Sequence, residues 1–211
     1  MRILYIVIIG ILLNSCASNK IEKLDKMKQM EFNQVVDNFM RNIYYEGFVV
    51  QLQTKPIFNI HPFYIKYPDA QNEKYPPPPT EKIIYSKDFF NTLVTDSIID
   101  SIDAQFMYAS IDSTLSFNID TSSSNETFIK QEKLDSIFSD VSSDGYQTLI
   151  RMYNIDSYLT FSTPIFNENL TKMIITVEYY CGALCGEGRV FFLSKQKNKW
   201  DIIDSKSTWI S

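Results

Sequence analysis

Apolar and polar positions fall into a helical regime first and a strand regime last. Ile21, Leu24, Met27, Phe32, Val35, Val36, Phe39, Met40 and Ile43 recur at three- and four-residue steps, which predicts a helix from Ile21 to Tyr45, ended by Gly47. Its stripe reads as a core face and not a membrane-lying one, because the polar side mixes both charge signs. Phe48–Gln53 then reads as a strand. Helical pieces are predicted at Asp88–Val94 and Ser97–Tyr108, and Leu115–Ile119 alternates like a strand. Thr121–Thr127 is polar and reads as a loop. Leu134, Ile137, Phe138 and Val141 match one helix face. Tyr146, Leu149, Ile150 and Tyr153 match another, with Asp144-Gly145 as the turn between them. Strands follow at Leu159–Phe161, Met173–Cys181, Val190–Ser194 and Trp200–Asp204, with turn-like spacers at 167–169 and 197–199. The expected class is therefore α+β, with N-terminal helices followed by a C-terminal antiparallel β meander.

The first residues follow neither pattern. Arg2 precedes an apolar run, Ile3–Leu13, which at eleven residues is too short to span a bilayer as a helix, for which ~20 are needed. Such a run reads as the apolar region of a secretory signal. It ends in Leu13-Asn14-Ser15-Cys16, which resembles the lipobox of bacterial lipoproteins, with Asn14 an uncommon residue at its position. The resemblance implies diacylglycerol on the Cys16 thiol, cleavage just before it, and a membrane partner held through that lipid. Two or three acyl chains anchor stably where one is marginal. On this reading residues 1–15 are the signal peptide and 16–30 a tether and helix start. Residues 31–211 then form one α+β domain, with a Pro-rich connector over 54–80. No acidic run follows Cys16, which points to an outer-membrane protein facing the periplasm.

Composition narrows the function further. The 211 residues are 45% hydrophobic and 14% aromatic, enough to bury a core. The formal charge of −5 becomes −6 once Arg2 leaves with the signal, so no general attraction to nucleic acid is expected. The single histidine, His61, excludes His-rich metal sites and any mechanism needing two histidines. It precedes Pro62 in a loop, with no convergent partner to make it catalytic. Pro76–Pro79 is a stiff polyproline II rod, read as a connector rather than as a ligand for a proline-binding domain.

The most unusual stretch is Tyr179-Tyr180-Cys181-Gly182-Ala183-Leu184-Cys185-Gly186-Glu187-Gly188. It holds three of the chain's six glycines, Gly182, Gly186 and Gly188, and reads as a specialised turn or bulged hairpin. Cys181 and Cys185 have four readings: a structural disulfide, two buried thiols, a redox-active pair, or half of a metal site. The spacing is C-x-x-x-C, not the redox C-x-x-C. A metal would lack further ligands, because Met152 and Met173 look like core residues. No metal site, cofactor or catalytic residue is therefore assigned.

The segment 162–211, through Ser162–Phe166, Tyr179–Gly188, Lys199–Ile203 and Trp209–Ser211, resembles the tail of a group of uncharacterised bacterial envelope proteins. That implies a module and transfers no activity to this chain.

Other motifs fail on chemistry. Asp140–Gly145 mimics the first half of an EF-hand loop, but Arg151 stands where the bidentate carboxylate belongs. Ser194-Lys195-Gln196-Lys197 satisfies S-x-x-K but runs from a strand into a turn, without its partner motifs. The dispersed Asp-Ser pairs (96–97, 100–101, 112–113, 135–136, 156–157, 204–205) are expected to cap helices and turns. The leading expectation is a lipid-anchored, non-enzymatic binding or structural module of the cell envelope. Its aromatic stretch of Phe58, Phe63, Tyr64, Tyr67 and Tyr75 would be a surface for an envelope protein partner. Alternatives are an envelope thiol/disulfide redox protein or other enzyme centred on Cys181 and Cys185, and an inhibitor or immunity lipoprotein.

Overall fold

The computed structural model describes residues 20–39, the backbone of 49–51, and 85–111, 117–121, 127–139, 144–155, 157–182 and 185–210. The lipid site at Cys16, the aromatic stretch around Phe58–Tyr75, His61, the proline run and the first part of the EF-hand-like loop lie outside these residues.

Helix α1 covers 20–39. It is followed by β1 (Val49–Gln51), α2 (Lys87–Thr95), α3 (Ser101–Ser110), β2 (Thr127–Ile129), α4 (Gln131–Ser139) and α5 (Gly145–Tyr153). Then come β3 (Tyr158–Phe161), β4 (Ile165–Phe166), β5 (Lys172–Gly182), β6 (Cys185–Gln196) and β7 (Lys199–Ile210). The strands form one sheet in the order β2-β1-β3-β5-β6-β7, with β4 pairing β5. The class is α+β, as expected. From β3 onward every pairing is antiparallel. The sequence pattern does not show that β1 pairs in parallel with both β2 and β3. Parallel neighbours need long crossovers. The helix pairs α2–α3 and α4–α5 lie in the two crossovers.

The central strand β5 is apolar on both faces, as a strand sandwiched between helices must be. Met173, Ile175 and Val177 meet Phe32, Val35, Val36 and Phe39 of α1 in one cluster. Each of those four α1 side chains is essentially fully buried. Such burial contributes about 1.5–3 kcal/mol per residue. Ile174, on the other face, joins Val190 and Phe192 beneath Phe90, Leu93 and Met107 of α2 and α3. A smaller cluster under α4 and α5 gathers Leu134, Ile137 and Leu149 around Ile129.

Polar contacts fix these layers. Glu31 of α1 is mostly buried and takes Lys195 Nζ at 2.5 Å and a hydrogen bond from Trp200 Nε1 at 2.9 Å. Asn167, itself buried, accepts from the backbone N–H of Thr171 and Lys172 and donates to Asp103 of α3. Ser86, Asp100 and Asp144 cap α2, α3 and α5 through their side-chain oxygens.

Several expectations are corrected. Ile21, Leu24 and Met27 are exposed, because among the described residues the bonds from α1 to the sheet and its loops begin at Gln29. Met152 is exposed on α5, whereas Met173 is buried. Residues 117–119 form no strand beyond a single bridge at Asn118. Asn118 exchanges hydrogen bonds with the Gln29 amide instead, and Asp120 N donates to Asn33. The helix expected from Ser97 starts at Ser101, because Asp100 caps it and Ser97 sits at φ 59° in the preceding turn. Among the Asp-Ser pairs, Asp96 closes α2 at its C-terminus, Asp135-Ser136 lies inside α4, and Asp204-Ser205 lies inside β7. Thr127, expected in the loop, begins β2. β6 and β7 both outrun their expected spans.

The turn between β6 and β7 has Lys197 at φ 48° and Asn198 at φ 65°, the geometry of a two-residue type I′ hairpin. β7 slips against β6 twice, leaving Ile203 and Thr208 without a facing residue. Among the described residues no helix is long and apolar enough to cross a membrane.

Candidate functional site

The glycine-rich stretch lies at the end of the β5–β6 hairpin. Cys181 and Cys185 are joined by a disulfide, with their Cα atoms 5.0 Å apart. This narrows the four readings of the pair: bonded to each other, the two sulfurs are neither two buried thiols nor half of a metal site, and the structural and redox readings remain. Tyr180 pairs with Gly186 and Gly182 with Cys185, so Cys181 is the extra residue of a bulge. Gly182 has φ +146°, a backbone region that side-chain-bearing residues rarely adopt. Cys185 is exposed and Cys181 half-buried.

Gly186 and Gly188 serve a different purpose, which is space. Gly188 lies between Glu178 of β5 and Trp209 of β7 in the pairing register. Two strand spacings are about 9.6 Å. The Trp209 indole crosses that gap over the bare backbone of β6. Its Nε1 donates to Glu178 Oε1 at 3.4 Å, and its ring lies 5.1 Å from that of Tyr180. A Cβ on Gly186 would come within 2.9 Å of the indole, and one on Gly188 would overlap Trp209 Nε1 and Thr208 Oγ1 outright. The glycines are the seat of a tryptophan.

The aromatic run continues sideways. Tyr180 stacks on its cross-strand partner Tyr158 at 4.6 Å and 12°. Tyr158 in turn meets Tyr146 of α5 and Phe138 of α4. A continuous line of rings therefore links the α4–α5 hairpin to β7. Such pairs contribute about 0.5–1.5 kcal/mol each beyond their buried area.

A carboxylate, that of Glu178, is bonded into this line. Glu178 Oε2 accepts from Tyr180 OH at 2.9 Å and from Thr160 Oγ1 at 3.3 Å. Next to it on the same face, Thr176 Oγ1 shares a hydrogen bond with Tyr85 OH, and the Thr176 N–H donates to Ser162 Oγ. Burial pushes the Tyr85 phenol up to about 12, with the nearby Glu178 charge adding to the rise. Burial first, then the charge of Glu178, also holds Tyr180 well above the usual phenol range. Tyr158 is raised by burial, then by Tyr146 and Glu178. At neutral pH these phenols stay protonated, and Tyr180 donates to Glu178.

The site thus offers an aromatic rim, a carboxylate held by neutral donors, and a disulfide of which one residue, Cys185, is exposed. Among the described residues no group of three or more His, Cys, Asp and Glu could hold a metal ion. Asp144 caps α5 through Tyr146 N, and Arg151 lies on that same helix. Ser194 lies in β6 and Lys197, the lysine of the S-x-x-K pattern, sits at φ 48° in the β6–β7 turn, so the pattern does run from a strand into a turn. The cysteines and glycines that stand out in the sequence are brought together here. Glu178, Tyr158 and Tyr85 do not stand out in it. Their signal is a G-x-G pair inside a strand flanked by strands that end in Tyr and Trp.

No protein-family model, curated protein or solved structure matches the chain.

Proposed function

We propose that this is a lipid-anchored cell-envelope protein whose folded domain is a non-enzymatic binding or structural module. The anchor rests on Leu13-Asn14-Ser15-Cys16, four residues ahead of the first described residue of α1. The module reading rests on one observation: the specialised residues at the hairpin end are used to build a surface. Glu178 binds Tyr180, Thr160 and Trp209, and Gly186 and Gly188 seat the indole. Half-buried Tyr180 and Trp209 beside an exposed disulfide form a rigid rim, the kind of amphipathic aromatic surface that anchors protein partners. On this reading the protein sits in the outer membrane and faces the periplasm.

The test is fractionation with palmitate labelling. The full chain takes up label and floats with membranes, and Cys16→Ser does neither. A Cys16→Ser protein that stays in the membrane after high-salt washing defeats the anchor.

The exposure of Cys185 favours one second reading, a thiol/disulfide exchange protein. Incubation with graded glutathione buffers decides it. A pair that stays oxidised throughout is structural.

A further inference from the structure

The first three turns of α1 carry apolar side chains that the described domain leaves uncovered. Ile21 is 62% exposed, Leu24 40%, Met27 44% and Met30 63%. They recur every three residues. Each therefore steps back by about 60° around the helix, and together they span about half its circumference. Ile21 continues the line of Phe32 and Phe39, but at that height there is no sheet beneath it. Cations are interleaved. Lys20, Lys23, Lys26 and Lys28 stand against Glu22 and Asp25, so this segment is net positive in a chain that is net negative. Glu22 is itself occupied by Lys26 at 2.6 Å.

The position of these turns identifies what covers them. Lys20 is four steps along the chain from Cys16, a reach of at most about 14 Å. The three turns from Lys20 to Met30 are about 15 Å long. A chain held by acyl groups on Cys16 therefore keeps the whole segment within a short distance of the headgroups. The fold also points it there. Glu31 binds Lys195 and Trp200 beside the β6–β7 turn, whereas the disulfide hairpin and Trp209 lie at the other end of the same strands. The uncovered turns leave the sheet at the end away from the aromatic rim.

We propose that the first three turns of α1 lie on the lipid surface. Ile21, Leu24, Met27 and Met30 enter the boundary between headgroups and acyl chains, and the lysines meet anionic headgroups. The proposal rests on the lipid-anchor reading and adds a second, peptide-borne contact that sets the orientation of the domain.

The test uses the full acylated chain reconstituted in vesicles of phosphatidylethanolamine and phosphatidylglycerol, with and without brominated acyl chains, which quench indoles at contact. The variants are Leu24→Trp and, as control, Ile102→Trp. Ile102 lies on α3, which packs on the opposite face of the sheet, and is 74% exposed. The unsubstituted protein supplies the emission of Trp200 and Trp209. The added emission of Leu24→Trp is expected to shift to the blue and to lose most of its intensity in brominated vesicles, with that of Ile102→Trp unchanged. Co-flotation without quenching at Leu24→Trp overturns the docking and leaves the anchor standing. A blue shift without quenching, together with self-association, assigns the stripe to a second copy and overturns it as well. Equal quenching of both variants shows unoriented adsorption and likewise overturns the docking. A chain that does not float with vesicles defeats both readings.

Discussion

Gly188→Ala tests how the hairpin end is built. The added Cβ overlaps Trp209 Nε1 and Thr208 Oγ1, and the backbone of paired strands cannot retreat far. Overpacking of this kind costs about 1–3 kcal/mol. If the indole swings away, the Tyr180–Trp209 contact goes with it, a further loss of about 0.5–1.5 kcal/mol. Against this, alanine is better than glycine inside a strand by about 0.5–1 kcal/mol. The net expectation is a destabilisation of about 0.5–4 kcal/mol, at the upper end a large part of a marginal stability of about 5–15 kcal/mol. Urea unfolding of the Cys16→Ser chain, followed by circular dichroism and by tryptophan emission, measures it. The decisive comparison is a double-mutant cycle with Trp209→Ala. With the indole gone, Gly188→Ala should be neutral or slightly stabilising. An equal cost with and without Trp209 would refute the seat, as would a neutral Gly188→Ala in the otherwise intact protein.

Two further perturbations probe the rest of the fold. Asn167→Ala removes the acceptor of two backbone N–H groups and a donor to Asp103 in a buried turn, so a loss of about 2–4 kcal/mol is expected as a lowered urea midpoint with an unchanged slope. A midpoint within error of the parent would mean that water replaces the amide without cost. Tyr85 has its folded pKa raised from 10.0 to about 12, so its contribution is full below pH 10 and is lost as the pH rises towards 12, where the unfolded phenol has already given up its proton. Tyr85→Phe should therefore flatten the alkaline fall in stability over that window, and an unchanged alkaline profile would show that the phenol is not held as described.

Much of the fold was legible because periodicity reports burial directly. Phe32, Val35, Val36 and Phe39 follow the helical step and are all buried, and the Met173–Val177 run announces a strand covered on both faces. Periodicity does not say where the opposing surface ends. Ile21 and Leu24 keep the same rhythm and stay exposed. It is also silent about which strands become neighbours. β1 and β2 are three residues each, too short to alternate, and their parallel pairing follows from crossovers that only the whole chain defines. β4 has two residues and no pattern at all. At the hairpin end, spacing suggested the disulfide but left other states of the two sulfurs open. The bond between Glu178 and Trp209 was hidden because it depends on side chains that are missing from the strand between them. Absent side chains leave little mark on a hydropathy pattern.

The two slips in β7 have a consequence for crowding. Among the described residues β7 has a strand on one side only, and its other edge is a row of backbone donors and acceptors. Ile203 and Thr208 interrupt that row, so no more than four consecutive residues, 199–202 or 204–207, keep one register. Charged Lys199, Asp201, Asp204 and Lys206 mark those short runs. A second strand would have to bulge in step to zip along such an edge, which is how natural sheets discourage edge-to-edge growth. On the lipid-anchor reading, copies of this domain concentrated in one plane would collide often, and the broken edge would disfavour their lasting pairing.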